Sequence, residues 1–199
     1  MVYFLKAYTI SKLLRDKLAT LLMGFEFNFI GSRSVISLPF RSGNVQRISI
    51  GKGVFVGPNC WIQVIGDSFS NDEPVIALGD DISISGDCTI TAVNKVTIGS
   101  GALIARFVHI SDHSHATENP DMFIRLQGTS KVAAVSIGEG AWLGHGVVVC
   151  PGVTIGRNAV IGANSVVLED VPDYCVAVGA PAKIVRRPSP SVVSSDFQS

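Results

Sequence analysis

Residues 137–167, IGEGAWLGHGVVVCPGVTIGRNAVIGANSVV, repeat with a period of six. An aliphatic residue recurs at every sixth position, namely Ile137, Leu143, Val149, Ile155, Ile161 and Val167. Four positions after each of the first five comes a small or β-branched residue, namely Ala141, Val147, Val153, Ala159 and Ser165. This period matches neither an amphipathic helix nor an alternating strand, and it indicates a chain that turns a corner after each short strand.

The same phase can be followed upstream when loops are allowed between the repeats. Three hexads would make one triangular coil, with the aliphatic side chains inside and a glycine or alanine at many corners. The sequence therefore predicts an all-β solenoid of about five coils. These begin at Ile50, Leu78, Ile98, Ile137 and Ile155.

The flanks of the repeat differ from it in composition. Leucines at helical spacing predict a helix over residues 9–23, and we assign residues 1–47 to this helix and a segment that caps the first coil. Residues 48–187 form the predicted solenoid domain, interrupted by a long loop at 112–134. The Ser- and Pro-rich residues 188–199 are predicted to be a flexible tail.

The composition argues against several classes of protein. Sixteen basic and sixteen acidic residues give no net charge, so we do not expect nucleic acid as a partner. No apolar stretch reaches the ~20 residues of a bilayer span, and the N-terminus lacks the features of a secretion signal. We expect a cytoplasmic protein. Its cysteines are widely spaced and we expect packed, reduced thiols at Cys60, Cys88, Cys150 and Cys175.

The hexads resemble those of the left-handed β-helix acyltransferases, whose signature is an aliphatic residue, glycine, two variable residues, a small residue and a variable residue. The resemblance covers residues 48–187 and implies a left-handed coil. Residues 98–187 are most similar to the galactoside, maltose and polysaccharide O-acetyltransferases. That similarity implies a homotrimer that transfers an acetyl group from acetyl-CoA to a hydroxyl of a sugar or polysaccharide precursor, without a metal.

Such a transfer requires a base for the acceptor hydroxyl, and an imidazole with a pKa near ~6.5 suits that task. The long loop opens with Ser111-Asp112-His113-Ser114-His115. The resemblance implies that His113 is the catalytic base, with His115 as the fallback base or an acceptor contact. Two solvated loop histidines are the plain alternative. For His109 and His145 we expect structural or surface roles.

The remaining site residues follow from the resemblance alone. Trp142 stands where the family places a tryptophan near the thioester, and it is assigned to both substrate and coenzyme. Asp87 aligns with an acceptor-binding asparagine of the family, and it could contact a sugar hydroxyl or help to orient His113. Asp112 is grouped with the acceptor contacts. The implied coenzyme A contacts are Trp142, Gly144, Ala163, Lys183 and Arg186.

Several alternatives stay open from the sequence. An N-acetyltransferase of a nucleotide-linked amino sugar would use the same fold and base. A zinc carbonic-anhydrase-like trimer would need three histidine ligands, and a non-catalytic scaffold would need regular outward Thr or Ser ladders. The apolar N-terminal helix further suggests peripheral contact with the inner face of a membrane and a lipid-linked glycan acceptor. The acceptor and the acyl chain length are not encoded in the repeats.

Overall fold

The computed structural model describes residues 2–66 and 73–187, with side chains from Tyr8 onward. Within those residues the chain begins with one α-helix, α1 (Val2–Met23), and continues as a column of short strands. Each turn of the column contains three strands, and six complete turns, named coils 1 to 6, follow one another. The fold is a left-handed parallel β-helix, as predicted. The predicted tail lies outside the described residues.

The strands are short because each side of the column is only one hexad long. Coils 1 to 3 contain β1 (Phe29–Ile30), β2 (Val35–Ile36), β3 (Phe40–Gly43), β4 (Ile48–Ile50), β5 (Phe55–Val56), β6 (Cys60–Val64), β7 (Ile76–Leu78), β8 (Ser83–Ile84) and β9 (Thr89–Ala92). Coil 4 contains β10 (Val96–Ile98), β11 (Leu103–Ile104) and β12 (His109–Ser111), and β13 (Ser114–His115) and β14 (Thr129–Ser130) follow it as a hairpin. Coils 5 and 6 contain β15 (Val135–Ile137), β16 (Trp142–Leu143), β17 (Val148–Val149), β18 (Thr154–Ile155), β19 (Val160–Ile161) and β20 (Val166–Val167), and the column ends with β21 (Val176–Val178) and β22 (Lys183–Arg186).

Corresponding strands of successive coils pair in parallel and form the three walls of the column. Sheet A runs β1-β4-β7-β10-β15-β18, sheet B runs β2-β5-β8-β11-β16-β19-β21-β22, and sheet C runs β3-β6-β9-β12-β17-β20. The register holds across the long loop, since Ile98 lies opposite Leu78 in one neighbouring strand and Ile137 in the other. The aliphatic residues of the hexads are buried in one continuous core, which confirms the hexad interpretation.

Three corners connect the walls, and they are named here by the sheets they join. In coil 4 the A–B corner is residues 99–102, the B–C corner is residues 105–108, and the C–A corner is the start of the long loop. Neighbouring coils approach closely at the glycines of the corners. A Cβ atom added to Gly138 would lie 2.6 Å from the backbone nitrogen of Arg157, so a side chain at this position would push coils 5 and 6 apart.

The structure contains one coil more than the sequence predicted. Coil 1, at residues 29–43, lies within the segment that was predicted to be only a cap. Its third side places Ser42 opposite Ile62, where the other coils carry an aliphatic residue, so the hexad pattern is incomplete there. The chain therefore enters the column directly after the helix.

Helix α1 is longer than predicted, and it packs on coil 1 through polar side chains. Asp16 and Thr20 are buried, whereas Leu14, Leu18 and Leu21 are exposed. The helix lies on the open edge of coil 1, but its contacts there are not made by the leucines whose spacing predicted the helix.

Two further expectations concern the described residues. None of the helices there combines the length and hydropathy needed to cross a bilayer. All four cysteines are free thiols, three of them buried and Cys150 half-buried, as predicted. Burial raises the pKa of the Cys150 thiol.

Candidate active site

The longest interruption of the column leaves coil 4 at the C–A corner. Residues 112–134, named the arm, extend as the β13/β14 hairpin and return to the same corner. The backbone N–H of Ala133 donates to the carbonyl of Asp112 at 2.8 Å, which closes the arm at its base. Its tip carries apolar side chains exposed to solvent, namely Met122, Phe123, Ile124 and Leu126. The arm therefore projects from the wall beside the histidine motif.

Asp112 is the anchor of this corner. Its side chain is fully buried and accepts three backbone hydrogen bonds from the turn of coil 3 directly above it. The N–H of Val93 donates to Oδ1 at 2.9 Å, and the N–H groups of Asn94 and Lys95 each donate to Oδ2 at 2.7 Å. The carboxylate is thus held in one orientation.

The fourth donor to Asp112 is the imidazole of His113. Its Nδ1 lies 2.9 Å from Oδ1 of Asp112. Because a carboxylate only accepts hydrogen bonds, Nδ1 carries the proton and Nε2 keeps a free lone pair. The ring is 11% exposed, so solvent or a substrate can still reach it. This tautomer is the one a general base requires at Nε2.

Ser111 is a second support for the ring that sequence reasoning missed. Its hydroxyl donates to the carbonyl of His113 at 2.9 Å and lies 3.2 Å from Nδ1. Ser111 points outward from β12 and yet is buried. Its only signal in the sequence is its place in the motif, directly before Asp112.

An acceptor contact was predicted for Asp112, and the structure gives this residue a different position. All its hydrogen bonds go to protein groups and its side chain is not exposed, so it can act on an acceptor only through His113. His115 lies in β13 at the base of the arm and is exposed. It remains a candidate for contact with the acceptor.

The other two histidines differ from each other. His109 is on the outer face of sheet C, opposite Thr89 and Val148 in the neighbouring strands. Burial of the ring lowers the pKa of His109, and the nearby His113 lowers it further. His109 therefore borders the site. His145 packs edge-on against Phe107 with ring centroids 5.2 Å apart, in keeping with a structural role.

Asp87 lies at the other edge of sheet C, in the B–C corner. Oδ2 accepts a hydrogen bond from Nε of Arg106 at 2.9 Å, and Oδ1 accepts one from Asn59 at 3.0 Å. The Arg106 guanidinium holds the pKa of Asp87 below its usual value. Val93 comes six positions after Asp87 in the sequence, roughly 20 Å along an extended chain. Within one chain the carboxylate that bonds to His113 is therefore that of Asp112 and not that of Asp87, and contact of Asp87 with a sugar hydroxyl stays a prediction.

The predicted coenzyme contacts lie farther round the column. Trp142 is on the outer face of sheet B and is 48% exposed. Gly144 is buried, and a Cβ atom added to it would lie 2.7 Å from the nitrogen of Ala163, so the stacking of coils already requires a glycine there. Ala163 itself is exposed at the B–C corner.

Lys183 and Arg186 lie in β22, at the end of sheet B. The ammonium group of Lys183 is 3.3 Å from each carboxylate oxygen of Glu169. Both cations are exposed, so they can reach an anion from solvent.

One chain does not bring all the predicted site residues together. Asp112, His113 and His115 are at the C–A corner, whereas Trp142, Lys183 and Arg186 are on sheet B, the wall opposite that corner. Asp87, Gly144 and Ala163 lie at the B–C corner between them. Among the described residues, no three His, Cys, Asp or Glu side chains are grouped as a metal site would require.

The sequence is similar to those of known acetyltransferases built from hexapeptide repeats. Residues 134–169 match the family described as bacterial transferase hexapeptide (six repeats). The putative lipopolysaccharide biosynthesis O-acetyl transferase WbbJ of Escherichia coli (strain K12) is 32% identical over 183 residues, covering 88% of this chain and 87% of that protein. Galactoside O-acetyltransferase of the same organism is 35% identical over 144 residues, covering 71% of this chain and 68% of that protein.

A solved structure supports the fold. AntD, an N-acyltransferase from Bacillus cereus in complex with dTDP and 3-hydroxybutyryl-CoA, superposes with a TM-score of 0.72 at 18% identity, covering 88% of this chain and 90% of that one. The repeats, the column and the extent of the match to WbbJ agree with one another. The chain therefore belongs to the hexapeptide-repeat family of acyltransferases.

Proposed function

We propose that this acyltransferase moves the acetyl group of acetyl-CoA to a hydroxyl of a sugar or polysaccharide precursor, with His113 as the general base. The observation that carries the proposal is the hydrogen bond from His113 to the buried, fully engaged carboxylate of Asp112. It leaves Nε2 free to accept a proton. The O-acetyltransferases WbbJ and galactoside O-acetyltransferase support a hydroxyl acceptor.

In the proposed reaction Nε2 of His113 accepts the proton of the acceptor hydroxyl as its oxygen attacks the thioester carbonyl carbon. The new ester bond forms and the carbon–sulfur bond breaks. The imidazolium then returns the proton to the departing thiolate, which restores the base. Asp112 and Ser111 hold the ring in place, and Asp112 stabilises the positive charge that His113 carries between the two transfers.

Acetyl-CoA supplies the activated acetyl group. Its phosphates suit the exposed cations Lys183 and Arg186, and its pantetheine arm suits the surface beside Trp142 and Ala163. Such a donor would lie along sheet B of the last coils, away from the His113 of the same chain.

The active unit that we propose is a homotrimer in which each site combines two chains. The support is the separation of His113 from the coenzyme residues within one chain. Sheet B also presents an apolar outer face, where Phe55, Leu103 and Trp142 are 39%, 46% and 48% exposed. A second copy that places its C–A corner against this face would bury the apolar row and complete the site.

Peripheral contact with a membrane is the last part of the proposal. It is supported by Leu14, Leu18 and Leu22 of α1, whose side chains are exposed. A membrane-bound enzyme of this kind would act on lipid-linked glycans.

A transfer assay tests the central proposal. Purified protein is incubated with acetyl-CoA and a panel of glycans and amino sugars, and mass spectrometry detects products heavier by one acetyl group. We expect ester formation, and a decrease in kcat of about 10²- to 10⁴-fold in His113→Ala, because a positioned base contributes that much. His115→Ala serves as the matched control and should keep most of kcat. Amide products only, or full activity in His113→Ala, would contradict the proposal.

A further inference from the structure

The N-terminal helix contacts the column with its polar side. The hydroxyl of Thr20 accepts a hydrogen bond from the N–H of Ile36 at 2.8 Å, and Asp16 lies 3.4 Å from the N–H of Leu38. Thr20 and Asp16 are one helical turn apart and are both buried. These contacts satisfy backbone donors at the open edge of coil 1, next to β2.

The opposite side of the same helix is apolar and exposed. Its residues recur three or four positions apart and so share one face. Their side chains are 58% to 86% exposed, and they are Ile10, Leu14, Leu18, Leu21 and Leu22 of α1, with Phe25 just after its end. A helix on a soluble surface normally shows the reverse arrangement. An unpartnered apolar stripe of this length indicates a surface that binds something.

A cavity of about 760 Å³ opens between this helix and coil 1. Leu21, Phe25, Ile30 and Val35 form much of its wall, and Lys17 and Arg33 line it as cations. The apolar stripe continues into the cavity through Leu21 and Phe25. The cavity is therefore apolar where Leu21 and Phe25 line it and positively charged where Lys17 and Arg33 line it.

Among the described residues, the exposed charges of α1 beside the stripe are basic, whereas Glu26, which follows Phe25 after the end of the helix, is an exposed acid. Within the described part of the chain, the acidic residue of α1 is Asp16, which is buried and paired with Arg15 at 2.7 Å. Neither Lys17 nor Arg33 has an ion pair or hydrogen bond to a described side chain, and both are exposed. Lys17 and Arg15 flank the stripe on opposite sides. Such flanking cations are typical of helices that lie in the headgroup region of anionic membranes.

We propose that the cavity between α1 and coil 1 holds the phosphate of an anionic membrane lipid, with Lys17 and Arg33 as its ligands and the apolar stripe inserted among the acyl chains. The proposal rests on the membrane contact that we proposed above and assigns its lipid chemistry and residues. A second copy of the chain is a poorer occupant. Two such helices packed face to face would bring Lys17 of each copy to the edge of the interface, and Lys17, unlike Arg15, has no acidic partner among the described residues.

The lipid site would also set the position of the active site. His113 follows coil 4, three strand spacings below coil 1, or about 14 Å along the column. With α1 on the bilayer, the imidazole would lie within reach of the first sugars of a lipid-linked glycan. A diphosphate-linked glycan lipid carries the same phosphate chemistry as the proposed ligand.

Vesicle flotation of the full chain tests this inference. The probes are vesicles of phosphatidylcholine alone and vesicles in which phosphatidylglycerol replaces part of it. We expect binding to the anionic vesicles and about 25-fold weaker binding by Lys17→Ser/Arg33→Ser, since each cation near an anionic surface contributes about fivefold. Lys17→Arg/Arg33→Lys should bind like the unaltered chain. Arg157→Ser, which removes an exposed cation at the far end of the column, is the matched control.

A second pair of variants tests the apolar stripe. Leu18→Ser/Leu21→Ser should lose binding to the anionic vesicles, whereas Leu168→Ser, which changes an exposed leucine after β20, should not. Equal binding by the double serine variant at Lys17 and Arg33 would overturn the inference. The inference would also be overturned if the leucine variant changed its oligomeric state but kept its vesicle binding, because the stripe would then be a protein interface. Displacement by soluble glycerol phosphate as effective as by lipid would also contradict a lipid site.

The outcome is separable from that of the transfer assay. Acetyl transfer to a soluble glycan does not involve Lys17 or Arg33, so it should be unchanged in their variants. A chain that floats with anionic vesicles but transfers no acetyl group would contradict the proposed reaction and leave the lipid site standing. A chain that transfers acetyl groups but does not float with anionic vesicles would contradict the lipid site and leave the proposed reaction standing.

Discussion

At the scale of the residue, the carboxylate of Asp112 receives four N–H donors on two oxygen atoms. Two of them, from Val93 and His113, meet Oδ1, and two, from Asn94 and Lys95, meet Oδ2. An asparagine amide has one oxygen and one NH₂ group. In either orientation it would therefore set its NH₂ group against two donors in a buried place.

The substitution Asp112→Asn should reduce both activity and stability. We expect a loss of roughly 1–3 kcal/mol in the free energy of unfolding from unsatisfied buried donors. We expect kcat to fall about 10- to 100-fold while KM for acetyl-CoA stays constant, because the base is misplaced but the coenzyme surface is intact. Steady-state kinetics and thermal melting measure these effects.

Asp170→Asn is the control for this prediction. Asp170 also accepts a backbone hydrogen bond, from Thr154 at 2.7 Å, at the same corner of the last coil, but it is exposed and remote from His113. It should change kcat little. If Asp112→Asn melted at a lower temperature but kept its kcat, Asp112 would be a purely structural residue.

At this scale the sequence predicted His113 as the candidate base, but it did not predict the residues that hold its ring in place. The histidine has a family motif and a chemistry that singles it out. The buried carboxylate of Asp112 does not, because its role depends on the turn of coil 3, which contacts it only after two coils stack. Ser111 contacts His113 two residues away, and a serine in a loop motif does not by itself indicate such a contact. Local sequence carries no sign of which coil lies above.

At the scale of the element, periodicity predicted the strands correctly but did not predict which side of the helix contacts the column. Hexads report which residues point inward, and the structure confirms these positions. The leucines of α1 report only that a helix has one apolar face. They do not say whether that face meets the column, and here the polar face does so through Thr20 and Asp16.

Removing the hydroxyl of Thr20 should therefore loosen the helix from the column. Thr20→Val keeps the shape of the side chain but leaves the N–H of Ile36 without its partner in a buried place. We expect a loss of roughly 2 kcal/mol, which lowers Tm by roughly 4–8 °C in a chain of this size. Calorimetry measures it.

A serine of the same helix provides the comparison. Ser11 donates a hydrogen bond to the carbonyl of Tyr8 and is exposed, so Ser11→Ala should alter stability by less than about 0.5 kcal/mol. Equal Tm values for the two variants would mean that the hydroxyl of Thr20 does not hold the cap.

At the scale of the whole molecule, the proposed site is divided between chains, and mixing experiments can detect this. His113→Ala and Trp142→Ala variants should each be impaired. When they are unfolded together and reassembled, some interfaces will pair an intact His113 with an intact Trp142 from the other chain. Random mixing of such two-chain sites restores about a quarter of them, so activity should exceed that of either variant.

The matched control mixes two variants that share one corner. His113→Ala and Asp112→Asn affect the same part of the site, so their mixture should recover nothing beyond the average of the two. Recovery in this control, or none in the first mixture, would mean that each chain carries its own complete site. The repeats alone do not predict this proposed division, because they specify how one column stacks and not how columns meet, and the homotrimer was predicted from the family resemblance only.

The arm has a consequence for how such enzymes diversify. Its two ends meet at the hydrogen bond between Ala133 and Asp112, and the strands on either side, β10 and β15, stay in register as if nothing lay between them. The part of the arm beyond the histidine motif could thus be exchanged for that of a relative without disturbing the scaffold. Selectivity for new glycans can evolve at this single junction while the base and its supports are inherited unchanged.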